Sequence, residues 1–78
     1  MIRWEQGGPR RNGDQKRFTC QGQAGQVRVT STGDGSSAGW KALVEFDQGP
    51  TRMISGHVGG IKEAIASARE YIQRVVNG

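Results

Sequence analysis

Gly60-Ile-Lys-Glu-Ala-Ile-Ala-Ser-Ala-Arg-Glu-Tyr-Ile-Gln-Arg-Val-Val-Asn77 reads as one amphipathic helix, and that reading decides the fold. Ile61, Ala64, Ile65, Ala68, Tyr71, Ile72 and Val75 recur at three- and four-residue spacing and form a single apolar stripe. Glu70 and Arg74 are an i,i+4 pair in the favourable order, with Glu63 near the positive end of the helix dipole and Arg74 near the negative end. No Ser, Thr, Asp or Asn directly precedes Ile61, so Gly59 or Gly60 must cap the helix. Asn77-Gly78 suits its C-terminal end, where a positive φ is wanted. Everything upstream is short β-like runs broken by glycine. One helix covers one face of one small sheet, so the other face must stay wet or meet a partner.

Working back from the helix, residues 40–46 form the clearest strand. Trp40, Ala42, Val44 and Phe46 share one face, and Lys41, Leu43 and Glu45 take the other. Residues 26–32 alternate likewise, with Val27, Val29 and Ser31 opposed to Arg28, Thr30 and Thr32. Residues 16–21 place Phe18 and Cys20 together, and residues 22–25 read as the hairpin connection that follows. Asp47-Gln-Gly-Pro50 turns the chain. Residues 51–55 return as a further strand with Met53 or Ile54 inward, and residues 56–60 lead into the helix. Residues 1–5 alternate as an edge strand would. Residues 6–15 carry the turn signals Gly7-Gly8-Pro9 and Asn12-Gly13, and residues 33–39 read as a flexible connector.

The expected fold is α+β: a small antiparallel sheet of three or four strands with one C-terminal helix packed on one face. It forms a single domain over residues 1–78, in which residues 1–15 are a partly mobile basic arm. The expected core is Phe18, Val27, Val29, Trp40, Ala42, Val44, Phe46 and Met53 against the helix stripe. The expected open face carries Thr19, Gln21, Arg28, Thr30, Lys41, Leu43, Glu45 and Arg52.

With 33% hydrophobic and 6% aromatic residues, such a core is thin, and its burial must be nearly complete to offset chain entropy. A homodimer is compatible with this composition and is not demanded by it. The net charge is +4 and uneven. Residues 1–17 hold Arg3, Arg10, Arg11, Lys16 and Arg17 against Glu5 and Asp14, a net of +3. This asymmetry suits nucleic acid or an acidic protein surface. A lone cysteine forms no internal disulfide, and no apolar run reaches the length of a membrane span or signal h-region, so a cytoplasmic protein with no membrane partner is expected.

Catalysis has little material. A nucleophilic triad needs three groups within hydrogen-bond reach, and the one histidine, His57, and the one thiol, Cys20, fall on different elements without a diagnostic neighbour pattern. Metal binding fails on ligand count. The reading is therefore of a non-enzyme with no catalytic, metal or cofactor residues and no cofactor. Gly56-His-Val-Gly-Gly60 before the helix is the most suggestive local motif, since backbone amides at a helix start attract anions. Its plain alternative is a strand-to-helix turn. The P-loop Lys-Ser/Thr pair is missing. Gly56-x-x-Gly59 has the spacing of the KH-domain loop, but that loop joins two helices and this one joins a strand to a helix. Lys62-Glu-Ala and Ala66-Ser-Ala resemble the last helix of double-stranded RNA-binding domains, whose basic cluster and first helix are missing here. Neither assignment is carried over.

Gly39-Trp40-Lys-Ala-Leu-Val-Glu-Phe, Ile54-Ser-Gly and Lys62-Glu-Ala-Ile-Ala-Ser-Ala-Arg-Glu-Tyr71 together resemble a pattern in very small proteins of phages and mobile elements, those of the anti-CRISPR type among them. The likeness covers residues 39–74. It implies a non-enzymatic inhibitor or accessory factor that occludes a surface of a nucleic-acid-handling complex, in the cytosol of a host cell. The contact residues expected on this reading are Arg28, Lys41, Leu43 and Arg52 on the open face, with Arg10 and Arg11 on the arm. The partner would be a protein or nucleoprotein complex with an acidic or nucleic-acid-binding surface. The alternative is a nucleic-acid-binding module whose same basic residues contact phosphates.

Overall fold

The alternating runs pair into one sheet. The computed structural model describes residues 1–32, 39–57 and 59–78. Strands β1 (Ile2–Trp4), β2 (Gln15–Cys20), β3 (Gln23–Thr32), β4 (Gly39–Phe46) and β5 (Thr51–Gly56) precede the helix α1 (Gly60–Asn77). All neighbouring pairs are antiparallel, and the order across the sheet is the order along the chain. The architecture is therefore α+β as expected, but the described strands number five rather than three or four. The additional one is β1. Ile2 lies opposite Cys20 and Trp4 opposite Phe18, so three residues lengthen an apolar row already present on β2.

The β2–β3 hairpin is tighter than its sequence suggests. Only Gln21 and Gly22 separate β2 from β3, both at positive φ (50° and 85°). A two-residue loop of this hand matches the twist of the flanking strands. Residues 23–25, expected in the connection, belong to β3 instead. Residues 33–38 of the expected connector lie outside the described residues, as does Val58 before the helix.

The core is the side of the sheet that α1 covers. Phe18, Cys20, Val27, Val29, Trp40, Ala42, Val44 and Phe46 are buried from the sheet, and Ala64, Ala68 and Ile72 from the helix. Ile61, Ile65, Tyr71, Val75 and Val76 flank that helical line, half-buried. The fully buried positions of α1 fall four residues apart and begin with two alanines, which lets the helix backbone lie close over β3 and β4. One expected core residue is misplaced. Met53 is 54% exposed on the opposite face, and Ile54 packs inward. Register is the cause. Leu43 pairs with Met53 and Ala42 with Ile54, and residues directly opposite each other share a face.

Two glycines make room for this core. Phe18 and Phe46 both lie opposite Gly25, and their rings meet edge-on across it with centroids 5.4 Å apart. A Cβ at Gly25 would sit 2.2 Å from the Glu45 carbonyl oxygen and 2.9 Å from Phe18 Cζ. Trp40 likewise lies over its cross-strand neighbour Gly56, where a Cβ would come within 2.4 Å of the indole.

The ends of α1 are secured by backbone and turn contacts. Gly59 is its N-cap, and the Glu63 N–H donates to the Gly59 carbonyl at 3.3 Å. The Gly78 N–H donates to the Arg74 carbonyl at 3.1 Å. Gln21, expected on the open face, instead sits in the β2–β3 turn, and its Nε2 donates to Asn77 Oδ1 at 3.0 Å.

Gly25→Ala is expected to destabilise the protein by about 1–3 kcal/mol through overpacking. Trp40→Ala is expected to cost about 3–5 kcal/mol, enough to unfold much of a domain this small. Urea unfolding checks both, and a Gly25→Ala midpoint equal to that of the parent would contradict the ring packing described above.

Candidate functional site

The face of the sheet away from α1 is built by the same alternation that fills the core. Register arranges it in cross-strand rows. One row runs Arg17, Gln26, Glu45, Thr51; the next runs Gln15, Arg28, Leu43, Met53; the third runs Thr30, Lys41, Ser55. Half-buried Leu43 and exposed Met53 sit side by side as an apolar pair in the middle row. Lys41 flanks that pair on one side and Glu45 on the other.

The charges here are partly matched. The Arg17 guanidinium forks onto Asp47, with Nη1 donating to Oδ1 at 3.3 Å and Nη2 to Oδ2. That hydrogen bond, helped by the charge of Asp47, raises the pKa of Arg17 above its already high ordinary value. Gln26 Nε2 donates to Glu45 Oε2 at 3.5 Å. Arg28 Nη2 donates to the neutral Gln15 Oε1 at 2.7 Å, so its charge is positioned but not neutralised. Lys41 makes no ion pair among the described residues. A shallow hollow of about 260 Å³ lies between Gln15, Gln26, Arg28, Leu43 and Glu45, below the size of ordinary small-molecule sites at roughly 300–1,000 Å³.

Of the residues expected to make contact, Arg28, Lys41 and Leu43 come together on this face. Arg52 does not join them. It lies directly opposite Val44, a core residue, and so stands on the helix side of the sheet. Its guanidinium carbon is 5.7 Å from the centroid of the Tyr71 ring. Met53 takes the place that Arg52 was expected to fill. In Thr51-Arg-Met-Ile-Ser55 the adjacent Met and Ile made both alternations plausible, and only pairing with β4 decides between them.

Arg10 and Arg11 lie in the turn before β2. That turn is hydrogen-bonded to β3. The Gly13 N–H donates to the Val29 carbonyl at 2.8 Å, the Val29 N–H to the Asp14 carbonyl at 3.0 Å, and the Ser31 N–H to Asn12 Oδ1 at 3.0 Å. These bonds place the turn at the end of the sheet that also holds Thr30 and Lys41. Asp14 organises the turn. Its Oδ2 accepts the Arg10 backbone N–H at 3.0 Å, and its Oδ1 is 3.5 Å from Arg11 Nε. The Arg10 bond is the main reason its carboxyl is held below the ordinary value of 3.8. Burial opposes the shift, and the Arg11 charge adds to it.

Cys20 is buried at 2% exposure and His57 is exposed beyond β5. Among the described residues no group of three His, Cys, Asp or Glu side chains is placed to hold a metal ion. At the start of α1, Glu63 stands in the first turn beside Gly59, so the helix N-terminus already has a carboxylate near it. No described helix is long and apolar enough to cross a membrane. Comparison with known proteins found no matching family model, no matching curated protein and no matching solved structure.

The Asp14 geometry carries a pH signature. A carboxyl whose folded pKa is depressed contributes in full above its unfolded value and loses that contribution as pH falls through the folded one. The Arg10 amide resonance is therefore expected to follow the ionisation of Asp14, with a midpoint below the ordinary carboxyl value of 3.8. Asp14→Asn is expected to abolish that transition. An NMR pH titration checks both, and a midpoint at or above the ordinary value would contradict the hydrogen-bond assignment.

Proposed function

We propose that this chain is a non-enzymatic binding protein that lays its uncovered sheet face against an acidic surface of a larger nucleic-acid-handling protein and blocks it. This is the mode of small inhibitors carried by phages and mobile elements, acting in the host-cell cytosol. One observation carries the reading: an apolar pair, Leu43 and Met53, lies on the open face beside two unneutralised cations, Arg28 and Lys41. An apolar centre with a polar, charged rim is the usual anatomy of a protein interface. Arg10 and Arg11 lie in the turn at the same end of the sheet as Lys41, with Arg11 beside Asp14 and the Arg10 guanidinium beside Gly7.

The same face is poorly suited to reading nucleic acid. Base stacking needs exposed rings beside a basic groove. Here Phe18, Trp40 and Phe46 are buried, and Trp4 packs edge-on against Phe18 at 6.0 Å. Glu45 also stands within the face, where phosphates would meet it unfavourably. Phosphate-only contacts through Arg10, Arg11, Arg28 and Lys41 are the competing outcome in the test that follows.

Affinity capture from nuclease-treated host extract is expected to retain a protein with an acidic surface. The double variant Arg28→Glu, Lys41→Glu is expected to reduce that capture by about tenfold or more, which is about 1.4 kcal/mol, while its melting temperature stays near that of the parent. Equal capture by the variant would overturn the assignment of the face. Loss of capture on nuclease treatment, with gel-shift affinity that falls steeply with salt, would replace the protein partner by nucleic acid.

A further inference from the structure

The geometry points to a second interaction surface. The outer edge of β5 accepts an extended acidic peptide segment as a sixth strand, with its carboxylates in the groove between β5 and α1. This proposal shares Met53 with the sheet-face reading but otherwise uses backbone groups of β5 and a cation on the other side of the sheet.

The sheet has two edges, and they differ. β1 is three residues long and runs straight into a tight turn at Glu5–Gly7. β5 is six residues long and pairs with β4 without interruption from Thr51 to Gly56. Proteins protect long edges with prolines, bulges, outward charges or a covering element. β5 has Pro50 only before its start and no break in register. Its single charge, Arg52, is turned over the Tyr71 ring. Among the described residues no hydrogen bond reaches its outer edge. An extended segment can pair with such an edge through its main chain and gain specificity through alternate side chains.

Alternate side chains of an added strand would meet two different environments. On the helix side, a groove of about 340 Å³ is lined by Arg52, Ile54, Ser67, Glu70, Tyr71 and Arg74. Arg74 Nη2 donates to Glu70 Oε1 at 2.7 Å, which satisfies that pair. Arg52 has no carboxylate partner among the described residues, so the groove holds one uncompensated cation against an aromatic wall. On the open side the added strand meets Met53. The chemistry selected is an extended segment with a carboxylate where it faces Arg52 and an aliphatic residue where it faces Met53, which an alternating acidic-aliphatic repeat presents in every second register.

A second copy of this chain is the other obvious occupant, and the residues disfavour it. β5 reads Thr51-Arg-Met-Ile-Ser-Gly56, with no carboxylate to meet Arg52, and each copy carries a net charge of +4.

The test uses the whole chain and capped synthetic peptides of about eight residues: a Glu-Val repeat, the same repeat N-methylated at alternate residues, and a Lys-Val repeat. Binding is followed by backbone amide NMR and hydrogen exchange. The Glu-Val peptide is expected to shift the β5 amides and to slow their exchange. N-methylation is expected to weaken binding by about tenfold or more, as is Arg52→Glu, and Arg52→Gln provides the same comparison if the reversal unfolds the chain. The Lys-Val peptide is expected not to bind. Arg28→Glu with Lys41→Glu is expected to change Glu-Val binding by less than about twofold, so failure of the sheet-face reading leaves this result intact. No binding, equal binding of parent and N-methylated peptides, shifts centred away from β5, or a concentration-dependent dimer that protects β5 and excludes the peptide would each overturn the proposal.

Discussion

Gly25 is the point on which the core turns. It is the third residue of a cross-strand row that reads Trp4, Phe18, Gly25, Phe46 from β1 to β4. Because one member has no side chain, the rings on either side meet across it. The contact then continues at both ends, to Trp4 with centroids 6.0 Å from Phe18 and to Tyr71 of α1 with centroids 6.5 Å from Phe46. Each such edge-on pair adds about 0.5–1.5 kcal/mol beyond the area it buries. In a chain with so few aromatics, this one file of rings joins the outer strand to the helix. It also explains how a thin apolar content closes a core.

What could be read from the residues depended on how redundantly each element is specified. α1 is signalled by seven apolar positions at one spacing, and the observed helix spans Gly60–Asn77 as expected. β4 alternates over its whole length, and all four of its expected inward side chains are buried. β1 offers only two apolar residues, whose alternation suggests an edge strand but not its partner; its place in the sheet comes from pairing with Phe18 and Cys20. The glycine at position 25 looked like punctuation in a loop. In the structure it is a space reserved for two rings, and a lone sequence does not separate those uses.

The open face of the sheet follows the same logic. Arg28, Lys41 and Leu43 sit on strands whose faces are set by Val27, Val29, Ala42 and Val44, and they lie where alternation put them. Arg52 and Met53 sit on a strand with two adjacent large apolar residues, where period two has two solutions related by a one-residue slip. The solution taken exchanges them. A cation leaves the open face for the helix side, and a thioether replaces it beside Leu43. The result is a face less basic and more apolar than the residue types alone suggested, and a groove under α1 that gains a charge.

The order of the strands has a kinetic side. Each strand after β1 pairs with the one made just before it, and among the described residues no crossover links distant parts of the ribbon. Hairpins of this kind close without first fixing long stretches of chain, so the entropy lost before each new contact is small. The amphipathic rod follows all five strands along the chain, and the ribbon it needs is assembled from residues that precede it. A polypeptide emerging from the ribosome can therefore pair its strands in the sequence in which they appear, and the rod then docks on a ribbon already made.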